Sequence, residues 1–400
     1  MSDKKEIIKI LNSSCEQNNN LLSLAAGNPD KRVLEKQQDY IKTPLFDGWL
    51  KERKLDSKLI KSDYSKSKGI IGEILKELAI NDLNISVDAE DIFVTNGAQE
   101  AISVSSFLLL SPKSMMLFPD PFYPGAWNAA SLAGKVDSFN FIKNGSIDLD
   151  SLKKKIIECK SSGINVASVY INLSFSNPLG VSFCNDEIKE FLDICQMNNI
   201  IPIIDDPYYY LAICGDRVSV NILNDHKVIY ISSFSKIFIP GVRVGFAILI
   251  NCKELRERFD EIKSTISITT SPVCQAIVAE YIISNRYSLE KVSKDITKLY
   301  KYKRTALISS YKNAIGRYPQ SNIVKLNVSD GGFFSYFELS VEFDLDSMKE
   351  LVEDFGVLVL PMKAFSNSDR YNKCVRVSFS SSSADDIRNA INKFVDWVHR

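Results

Sequence analysis

The sequence predicts an α/β protein: a large domain with a mostly parallel sheet flanked by helices, followed by a smaller α+β domain. Strand-like runs alternate with helix-like runs through the middle of the chain, and most of the strand-like runs are almost continuously apolar. Such runs are typical of strands that helices cover on both faces. The chain has 400 residues, which is enough for a substantial core and suggests two domains.

Six runs predict the strands of the large sheet. Most are apolar, and several end at polar residues. The predicted strands cover residues 91–95, 114–118, 165–173, 200–205, 227–232 and 244–250.

A helix is predicted over residues 186–198, between two of these strands. Its apolar residues recur at helical spacing, and Asp186 and Glu187 suit the positive N-terminal end of the helix dipole. We expect Asn185 to be its N-cap. Alternation of strands and helices of this kind predicts a parallel sheet.

The last part of the chain predicts the smaller domain. Residues 253–315 are mainly helical in pattern, and four strands are predicted after them, at 322–328, 332–339, 357–360 and 375–379. The serine-rich stretch 378–383 is interpreted as a strand end followed by a helix cap. The predicted division is an N-terminal arm over 1–45 that joins the small domain, a large domain over 46–285 and a small domain over 286–400.

Composition and charge narrow the classes of function. Lys+Arg and Asp+Glu both number 49, so charge predicts neither nucleic acid nor a membrane surface as a partner. The start has no secretory signal, and charged residues interrupt the apolar runs. Eight scattered cysteines are expected to be reduced thiols of a cytoplasmic protein. The two histidines, His226 and His399, are predicted at the surface, so neither a histidine metal site nor a Ser-His-Asp triad is expected.

Residues 232–245 carry the most specific chemical signal. Lys236 lies among small hydroxyl residues after a predicted buried strand, and Arg243 follows seven positions later. Partial desolvation lowers the pKa of such a lysine and leaves its amine nucleophilic toward an aldehyde. Ser233, Ser235 and Arg243 are suited to holding a phosphate beside it. The pattern suggests a lysine that carries pyridoxal 5′-phosphate (PLP); the alternative is a surface lysine at a strand end.

Other polar residues follow the predicted strands, where ligands bind in open α/β sheets. Gly97, Ala98 and Gln99 begin a helix, and their backbone N–H groups are candidates for binding phosphate, although a plain turn has the same pattern. The Asn177 amide is a candidate to hydrogen-bond a phenolate oxygen on a cofactor ring; its alternative is an Asn-Pro turn.

Three further side chains are candidates for a flat cofactor. Asp205 would face the protonated nitrogen of a pyridine ring and make that ring an electron sink; its alternative is a helix cap or a salt-bridged turn. Tyr208 would reach the ring oxygen. Tyr123 would lie over the ring face, or pack in the core.

Arg376 lies between apolar neighbours in a predicted strand. An arginine in such a place needs a partner. A substrate carboxylate would provide a bidentate one. The alternative is an arginine on an edge strand in water.

These motifs, in this order, resemble those of the class I/II aminotransferases, which are PLP enzymes of fold type I. The resemblance runs from about Leu22 to the C-terminus. Asp-Asp-Pro-Tyr-Tyr at 205–209 and the seven-residue gap from Lys236 to Arg243 are most similar to the 2-aminoadipate/kynurenine aminotransferase branch. The matching motifs are Tyr64 with Gly69, TNGAQEA (95–101), PFYPG (121–125), NPLG (177–180), DDPY (205–208), SFSK (233–236), GVR (241–243), GGFF (331–334) and VRVSF (375–379).

The resemblance implies cofactor roles for these positions. Lys236 would be the Schiff-base lysine and proton carrier, and Asp205 the partner of the pyridine nitrogen. The remaining implied contacts are Asn177 and Tyr208 to the ring oxygen, Tyr123 to the ring face, and Ala98, Gln99, Ser233, Ser235, Arg243 and Tyr64 to the phosphate. Tyr64 would reach the phosphate of the partner subunit, which implies a homodimer.

The resemblance also implies a substrate site and a reaction. Arg376 would clamp the substrate α-carboxylate with help from Asn177, and Gly27 is assigned to the same site. The implied reaction moves an amino group between a 2-amino acid and a 2-oxo acid by a ping-pong mechanism. Leu179 stands where the family usually has Thr, and residues 31–68 follow no family pattern, so no particular substrate is predicted.

Two alternatives remain open. One is another PLP reaction on the same fold, namely β-elimination, cyclisation or oxidation, because fold alone does not decide the chemistry. The other is a regulatory ligand-binding module of the kind found in DNA-binding regulators. We expect the first more than the second, because only about twenty residues precede the matching part, too few for a helix-turn-helix region.

Overall fold

The protein is described by a computed structural model that covers residue 6 and residues 21–37, 65–143, 145–215 and 217–400. The strands in these ranges are β1 (Leu22–Ser23), β2 (Ile92–Thr95), β3 (Ser114–Asp120), β4 (Lys135–Asn140), β5 (Ile142–Lys143), β6 (Ser146–Ile147), β7 (Asn165–Asn172), β8 (Ile203–Asp205), β9 (Val228–Ser233), β10 (Gly245–Ile250), β11 (Ile323–Asn327), β12 (Phe334–Leu339), β13 (Val357–Leu358), β14 (Leu360–Pro361) and β15 (Cys374–Ser378).

Eleven α-helices occur in the same ranges. They are α1 (Lys31–Gln37), α2 (Gly72–Leu78), α3 (Ala98–Leu109), α4 (Pro124–Ala133), α5 (Leu149–Ser161), α6 (Asn185–Met197), α7 (Arg256–Ser267), α8 (Pro272–Ser284), α9 (Glu290–Ile315), α10 (Leu345–Phe355) and α11 (Ala384–Val398). Helices α7, α8 and α9 all fall in the stretch that the sequence pattern predicts as helical.

The large sheet has seven strands in the order β2-β10-β9-β8-β7-β3-β4. All neighbours pair in parallel except β10, which is antiparallel to β9 and to β2. This confirms the prediction of a mostly parallel sheet. The carboxyl ends of the parallel strands meet at one edge, and β10 starts there, because Gly245 is in register with both Ser233 and Thr95. Arg243, just before β10, therefore lies at the same edge.

Both faces of the sheet are buried. In β9, Val228 and Tyr230 belong to one apolar cluster, whereas Ile229 and Ile231 belong to the cluster on the opposite face. Side chains alternate between the faces of a strand, so helices on both sides require the continuous apolar runs that the sequence contains. Within the described ranges, no helix combines the length and the apolar character needed to cross a membrane.

Two features of the large sheet differ from the prediction. The strand β4 was not predicted, because it is a half-exposed edge strand in which polar and apolar residues mix. The fourth predicted strand begins at Ile203 rather than at residue 200. Pro202 precedes it and has no backbone N–H to donate to a neighbouring strand.

The smaller sheet is antiparallel, in the order β11-β12-β15-β14. The strand predicted over 332–339 begins at Phe334, because Gly332 has a φ of 63° and belongs to a turn. The run 357–360 forms parts of two short strands: β13 pairs with β1, and β14 pairs with β15. Strand β15 ends at Ser378, and the Ser383 hydroxyl accepts the Asp386 N–H at 3.0 Å at the start of α11, as predicted. The boundaries of the domains stay a prediction.

Two local predictions are wrong. Cys184, not Asn185, is the N-cap of α6, and the Glu187 carboxylate accepts the Cys184 N–H at 2.8 Å. Asn185 is the first helical residue, and its side chain accepts the Ser219 N–H at 2.8 Å. His226 is buried rather than at the surface, because its ring packs beside α6 and contacts the Asp193 carboxylate at 3.0 Å.

Candidate active site

A cavity of about 1030 Å³ opens at the carboxyl edge of the large sheet, between this sheet and the smaller one. Within the described ranges, every predicted site residue except Gly97 lines it. These residues are Gly27, Ala98, Gln99, Tyr123, Asn177, Asp205, Tyr208, Ser233, Ser235, Lys236, Arg243 and Arg376. Tyr64 lies outside the described residues.

Lys236 ends a short 3₁₀ turn directly after β9 and extends its amine into the cavity. Its Nζ donates a hydrogen bond to the Gly27 carbonyl at 2.9 Å. Burial lowers the pKa of this amine to about 8, and the positive charges of Arg243 and Arg376 act in the same direction. The amine is therefore neutral, and nucleophilic, at a lower pH than an ordinary lysine.

Asp205, the last residue of β8, is buried at the floor of the cavity. The Tyr170 hydroxyl donates to its Oδ2 at 2.6 Å, and Oδ1 has no hydrogen-bond partner within the described residues. Burial raises the pKa of this carboxyl to about 7. A buried carboxylate oxygen without a partner is costly, so the site is suited to a cationic donor that enters the cavity.

Two residues that were not predicted from the sequence, Tyr170 and Asn172, hold Asp205 in place. Besides the Tyr170 hydroxyl, the Asn172 side chain donates to the Asp205 carbonyl at 2.8 Å and accepts the Asn177 N–H at 2.8 Å. A signal was present: Ser168, Tyr170 and Asn172 alternate along an otherwise apolar strand, which places three polar groups on one face.

The opposite end of the cavity is built for an anion. Gly97 has a φ of 78° and precedes α3, whose first residues, Ala98 and Gln99, line the cavity. The N–H groups of a first helical turn have no partner within the helix and can bind an anion. A Cβ at Gly97 would lie 2.5 Å from Nη2 of Arg243, so only glycine lets the arginine approach. Ser233 donates to the Ser235 hydroxyl at 3.0 Å, and Arg243 reaches the same hydroxyl at 3.4 Å. This group of donors matches a phosphate.

Aromatic rings line the space between these two ends. The Tyr123 hydroxyl donates to Gln99 Oε1 at 3.3 Å, and Gln99 Nε2 in turn donates to the Gly125 carbonyl at 2.8 Å. Tyr208 is buried, and its ring centroid lies 5.8 Å from Lys236 Nζ. Burial raises the pKa of both tyrosine hydroxyls, so both are protonated donors at neutral pH.

Arg376 lies within β15 and is buried, which contradicts the alternative of an arginine in water. Its Nη1 donates to Asn177 Oδ1 at 2.7 Å and its Nη2 to the Ala25 carbonyl at 2.6 Å. The guanidinium carbon lies 4.2 Å from the centroid of Phe334 and 4.5 Å from that of Phe365. No carboxylate of the described ranges forms an ion pair with it, so it is a desolvated cation beside the cavity.

A comparison with known families identifies the family of the chain. The family described as "Aminotransferase class I and II" matches residues 49–394. The chain belongs to this family. It is thus a PLP-dependent aminotransferase of fold type I, as the sequence motifs implied.

Known proteins resemble the chain over nearly its whole length. The (S)-3,5-dihydroxyphenylglycine transaminase of Amycolatopsis orientalis is 27% identical over 98% of this chain and 91% of its own. The structure of the Pyrococcus horikoshii kynurenine aminotransferase superposes with a TM-score of 0.84 at 24% identity, over 98% of this chain and 94% of that one. The HTH-type transcriptional regulator NorG of Staphylococcus aureus strain USA300 is 25% identical over 84% of this chain and 72% of its own.

The donors of the aminotransferase cavity fit PLP. The unpartnered Oδ1 of Asp205 matches a protonated ring nitrogen, and the Gly97 turn with Arg243 matches the phosphate. Lys236 would supply the amine for the cofactor aldehyde. The cavity therefore offers an acceptor for the ring nitrogen, donors for the phosphate and an amine for the aldehyde.

We expect the rate at which the apoprotein captures PLP covalently to rise with pH and to level off above about pH 8. The neutral amine is the attacking form, and burial lowers the pKa of Lys236 to about 8. The rate is measured by mixing apoprotein with PLP, reducing with borohydride at intervals and quantifying the labelled peptide. A rate that still rose tenfold per pH unit up to about pH 10 would show that the amine has its ordinary pKa.

Proposed function

We propose that Lys236, Asp205 and Arg376 are the residues by which this aminotransferase moves an amino group between a 2-amino acid and a 2-oxo acid. One observation carries the proposal: an amine with a lowered pKa, a carboxylate oxygen without a partner and a desolvated guanidinium line the same cavity. When bound, PLP supplies an aldehyde that condenses with amines and a ring that withdraws electrons.

Each of these side chains has a separate role in the proposed reaction. Arg376 binds the substrate carboxylate and orients the amino acid so that its Cα lies near Lys236. Lys236 takes the proton from Cα at its Nζ as a general base and then, as a general acid, would deliver it to the carbon that comes from the cofactor aldehyde. Asp205, whose Oδ1 has no hydrogen-bond partner within the described residues, would hold the proton on the ring nitrogen. The apolar wall of the cavity limits water and strengthens these charge interactions.

The experiment that tests this proposal is a half-reaction. Purified holoprotein is titrated with single amino acids in the absence of any acceptor, and the visible spectrum and the products are followed. We expect conversion to the pyridoxamine form and release of 2-oxo acid in one-to-one ratio with enzyme. The panel includes aromatic amino acids and kynurenine, which suit the named relatives, 2-aminoadipate, which suits the branch that the motifs resemble, and alanine as a small donor. Ammonia released over many turnovers would instead show an elimination or oxidation.

The similarity to the transcriptional regulator NorG supports the alternative that this chain is a regulatory ligand-binding module. A ligand-binding module would hold PLP but convert no member of the panel. Since the apoprotein capture of PLP is the same in both cases, the appearance of 2-oxo acid separates them. We favour the enzyme because the Arg376 guanidinium lines the cavity and forms no ion pair with a carboxylate of the described ranges, so a substrate carboxylate can supply the partner.

The loss of Arg376 is expected to act on substrate binding. In Arg376→Gln, kcat/KM for the best amino acid should fall about 10²-fold or more, mainly through KM, because truncating one partner of a buried charge pair costs about 2–5 kcal/mol. The matched control is Arg370→Gln, an exposed arginine on the same segment of chain. Steady-state kinetics measure the changes in kcat and in KM separately. An unchanged KM with a lower kcat would contradict a role in binding the carboxylate.

We further propose a homodimer in which Tyr64 contributes to the site of the other subunit. The family motif carries this proposal. Mixed dimers of Lys236→Ala and Tyr64→Phe subunits test it: if Tyr64 acts across the interface, each mixed dimer regains one native site. Activity that rises on mixing supports the proposal, whereas no rise places Tyr64 in its own subunit. Sedimentation of the unmixed protein gives the oligomeric state.

We propose a reducing compartment such as the cytoplasm as the location. The cysteines within the described ranges are all free thiols, and reduced cysteines are the rule where glutathione is abundant. Titration of the denatured, unreduced protein from its natural source should yield all 8 thiols. A lower number would indicate a disulfide.

A further inference from the structure

The N-terminal strap, which we define as residues 22–30, touches both cations at the substrate end of the cavity. The Gly27 carbonyl accepts the hydrogen bond from Lys236 Nζ at 2.9 Å, and the Ala25 carbonyl accepts the one from Arg376 Nη2 at 2.6 Å. Backbone carbonyls cannot turn without moving the chain that carries them. The path of the strap therefore sets where these two acceptors lie.

The strap is held at both ends. At its beginning, β1 pairs with β13, and the Leu24 N–H donates to the Leu358 carbonyl at 2.9 Å. At its end, Asp30 is buried and forms an ion pair with Lys303 of α9. One turn earlier on α9, the Tyr300 hydroxyl accepts the Asp30 N–H at 3.1 Å. The ion pair thus ties the strap to the longest helix of the described chain.

Lys303 also reaches the strand that carries Arg376. Its Nζ donates to the carbonyl of Ser380, two residues beyond the end of β15. One ammonium group therefore contacts the strap and the extension of β15 together. Arg376 and its acceptor on Ala25 are both positioned relative to the same point on α9.

The ion pair between Asp30 and Lys303 is better suited to fixing the relative positions of the segments it joins than to stabilising the fold. Lys303 is fully buried and Asp30 is 4% exposed. Replacing such a pair with apolar side chains is often neutral or stabilising, because both ions lose their hydration. Directional hydrogen bonds, by contrast, fix the relative placement of the segments that they join. The Asp30 carboxylate also accepts the Arg32 N–H at 2.8 Å, so its rotation is restricted.

We propose that Asp30 and Lys303 are positioning residues for the substrate site, which act through the strap on Arg376 and Lys236. They hold the Ala25 carbonyl against the guanidinium and thereby orient it for the substrate carboxylate. Neither residue lines the cavity. The inference rests on the proposed role of Arg376.

The test uses full-length holoprotein with three variants: Asp30→Asn, Lys303→Met and the double variant. Asp30→Asn leaves the buried Lys303 ammonium without its carboxylate, and Lys303→Met leaves Asp30 with the half-exposed Arg32 as its remaining cationic partner. Both should therefore lower Tm, Asp30→Asn by more. The double variant contains no buried ion, so its Tm should return toward that of the wild type. Its KM for the amino donor should nevertheless stay raised about 10- to 100-fold, because small displacements of a positioning group carry large kinetic costs. We expect kcat to change less than KM.

Hydrogen exchange of the apoprotein gives a readout that does not depend on activity. In the double variant, the amides of residues 22–30 should exchange faster, whereas those of the large sheet should keep wild-type rates. The matched controls are Lys298→Met, an exposed ion pair with Asp295 on the same helix, and Arg32→Met, which contacts the same carboxylate from only two residues away. Lys298→Met should change KM by no more than about twofold, as for exposed pairs in general. Arg32→Met should raise KM less than the double variant does, because Asp30 then keeps its ion pair with Lys303.

Two outcomes would overturn the inference. A double variant with wild-type KM and wild-type exchange in the strap would show that the pair positions nothing. A rise in KM that followed the loss of Tm equally in every variant would show a purely structural role. Failure of the proposed function would look different, because the wild-type protein itself would then convert no amino donor.

Discussion

Replacing Lys236 with alanine is expected to lower kcat for transamination by at least about 10⁴-fold, the upper range for loss of a general acid–base group. Two functions disappear together, since the same Nζ attaches the cofactor and carries the proton. Single-turnover mixing with the best donor, followed by quantification of 2-oxo acid, measures the effect. PLP should still bind the variant without a covalent link, because the phosphate and ring contacts of Arg243 and Asp205 remain.

The control for this variant is Lys227→Ala. Lys227 precedes the same strand, but it is exposed and forms an ion pair with Glu254 at the surface. It should keep wild-type activity and borohydride-trapped label. If Lys236→Ala retained transamination while the control behaved as expected, the assignment of Lys236 would be wrong.

The second large effect is expected for Asp205→Asn. An amide cannot hold a proton on the ring nitrogen by charge, so the ring withdraws electrons less strongly when the Cα–H bond breaks. Removing one partner of a buried charge pair costs about 3–5 kcal/mol, which corresponds to about a 10²- to 10⁴-fold lower kcat. KM should change little, because Asp205 does not contact the substrate carboxylate. Steady-state kinetics and the absorption spectrum of bound PLP provide the measurement.

The adjacent carboxylate supplies a control for the position of the charge. Asp206 is also buried, but it accepts the Ser174 N–H at 3.2 Å and the Tyr230 hydroxyl at 3.4 Å, and it does not line the cavity. Asp206→Asn should therefore keep kcat within about tenfold, the cost of one ordinary hydrogen bond. Equal losses in both variants would mean that the negative charge acts on the whole site rather than on one ring atom.

Much of the fold was predictable because the large sheet is buried on both faces. Strands such as β9 are read as continuous apolar runs, and the polar residues at their ends stand out against them. The half-exposed edge strand β4 lacks this contrast, since its residues mix polar and apolar side chains. The burial of His226 could not be predicted from the sequence either, because its partner Asp193 is 33 residues away.

Site residues were predictable from the sequence where the side chain is chemically unusual for its local surroundings. Lys236, Asp205 and Arg376 are rare residue types for their local surroundings, and each motif around them is short and ordered. Tyr170 was missed because it appears as one more large side chain in a strand. Its function depends on a 2.6 Å hydrogen bond to Asp205 on the neighbouring strand β8, which no local pattern reports.

The alternation of strands and helices, the parallel sheet and the residue types that suit PLP can all be predicted from the amino-acid sequence. These properties follow from hydrophobic periodicity and from chemistry carried by single side chains. The folded chain was needed to show which groups share a cavity, which oxygen of Asp205 has no partner within the described residues and where the strap contacts Arg376. Asp30 and Lys303 are 273 positions apart in the sequence, and their contact exists because folding buries both charges at one place. Burial and pairing of this kind arise between distant segments, so local sequence patterns cannot specify them.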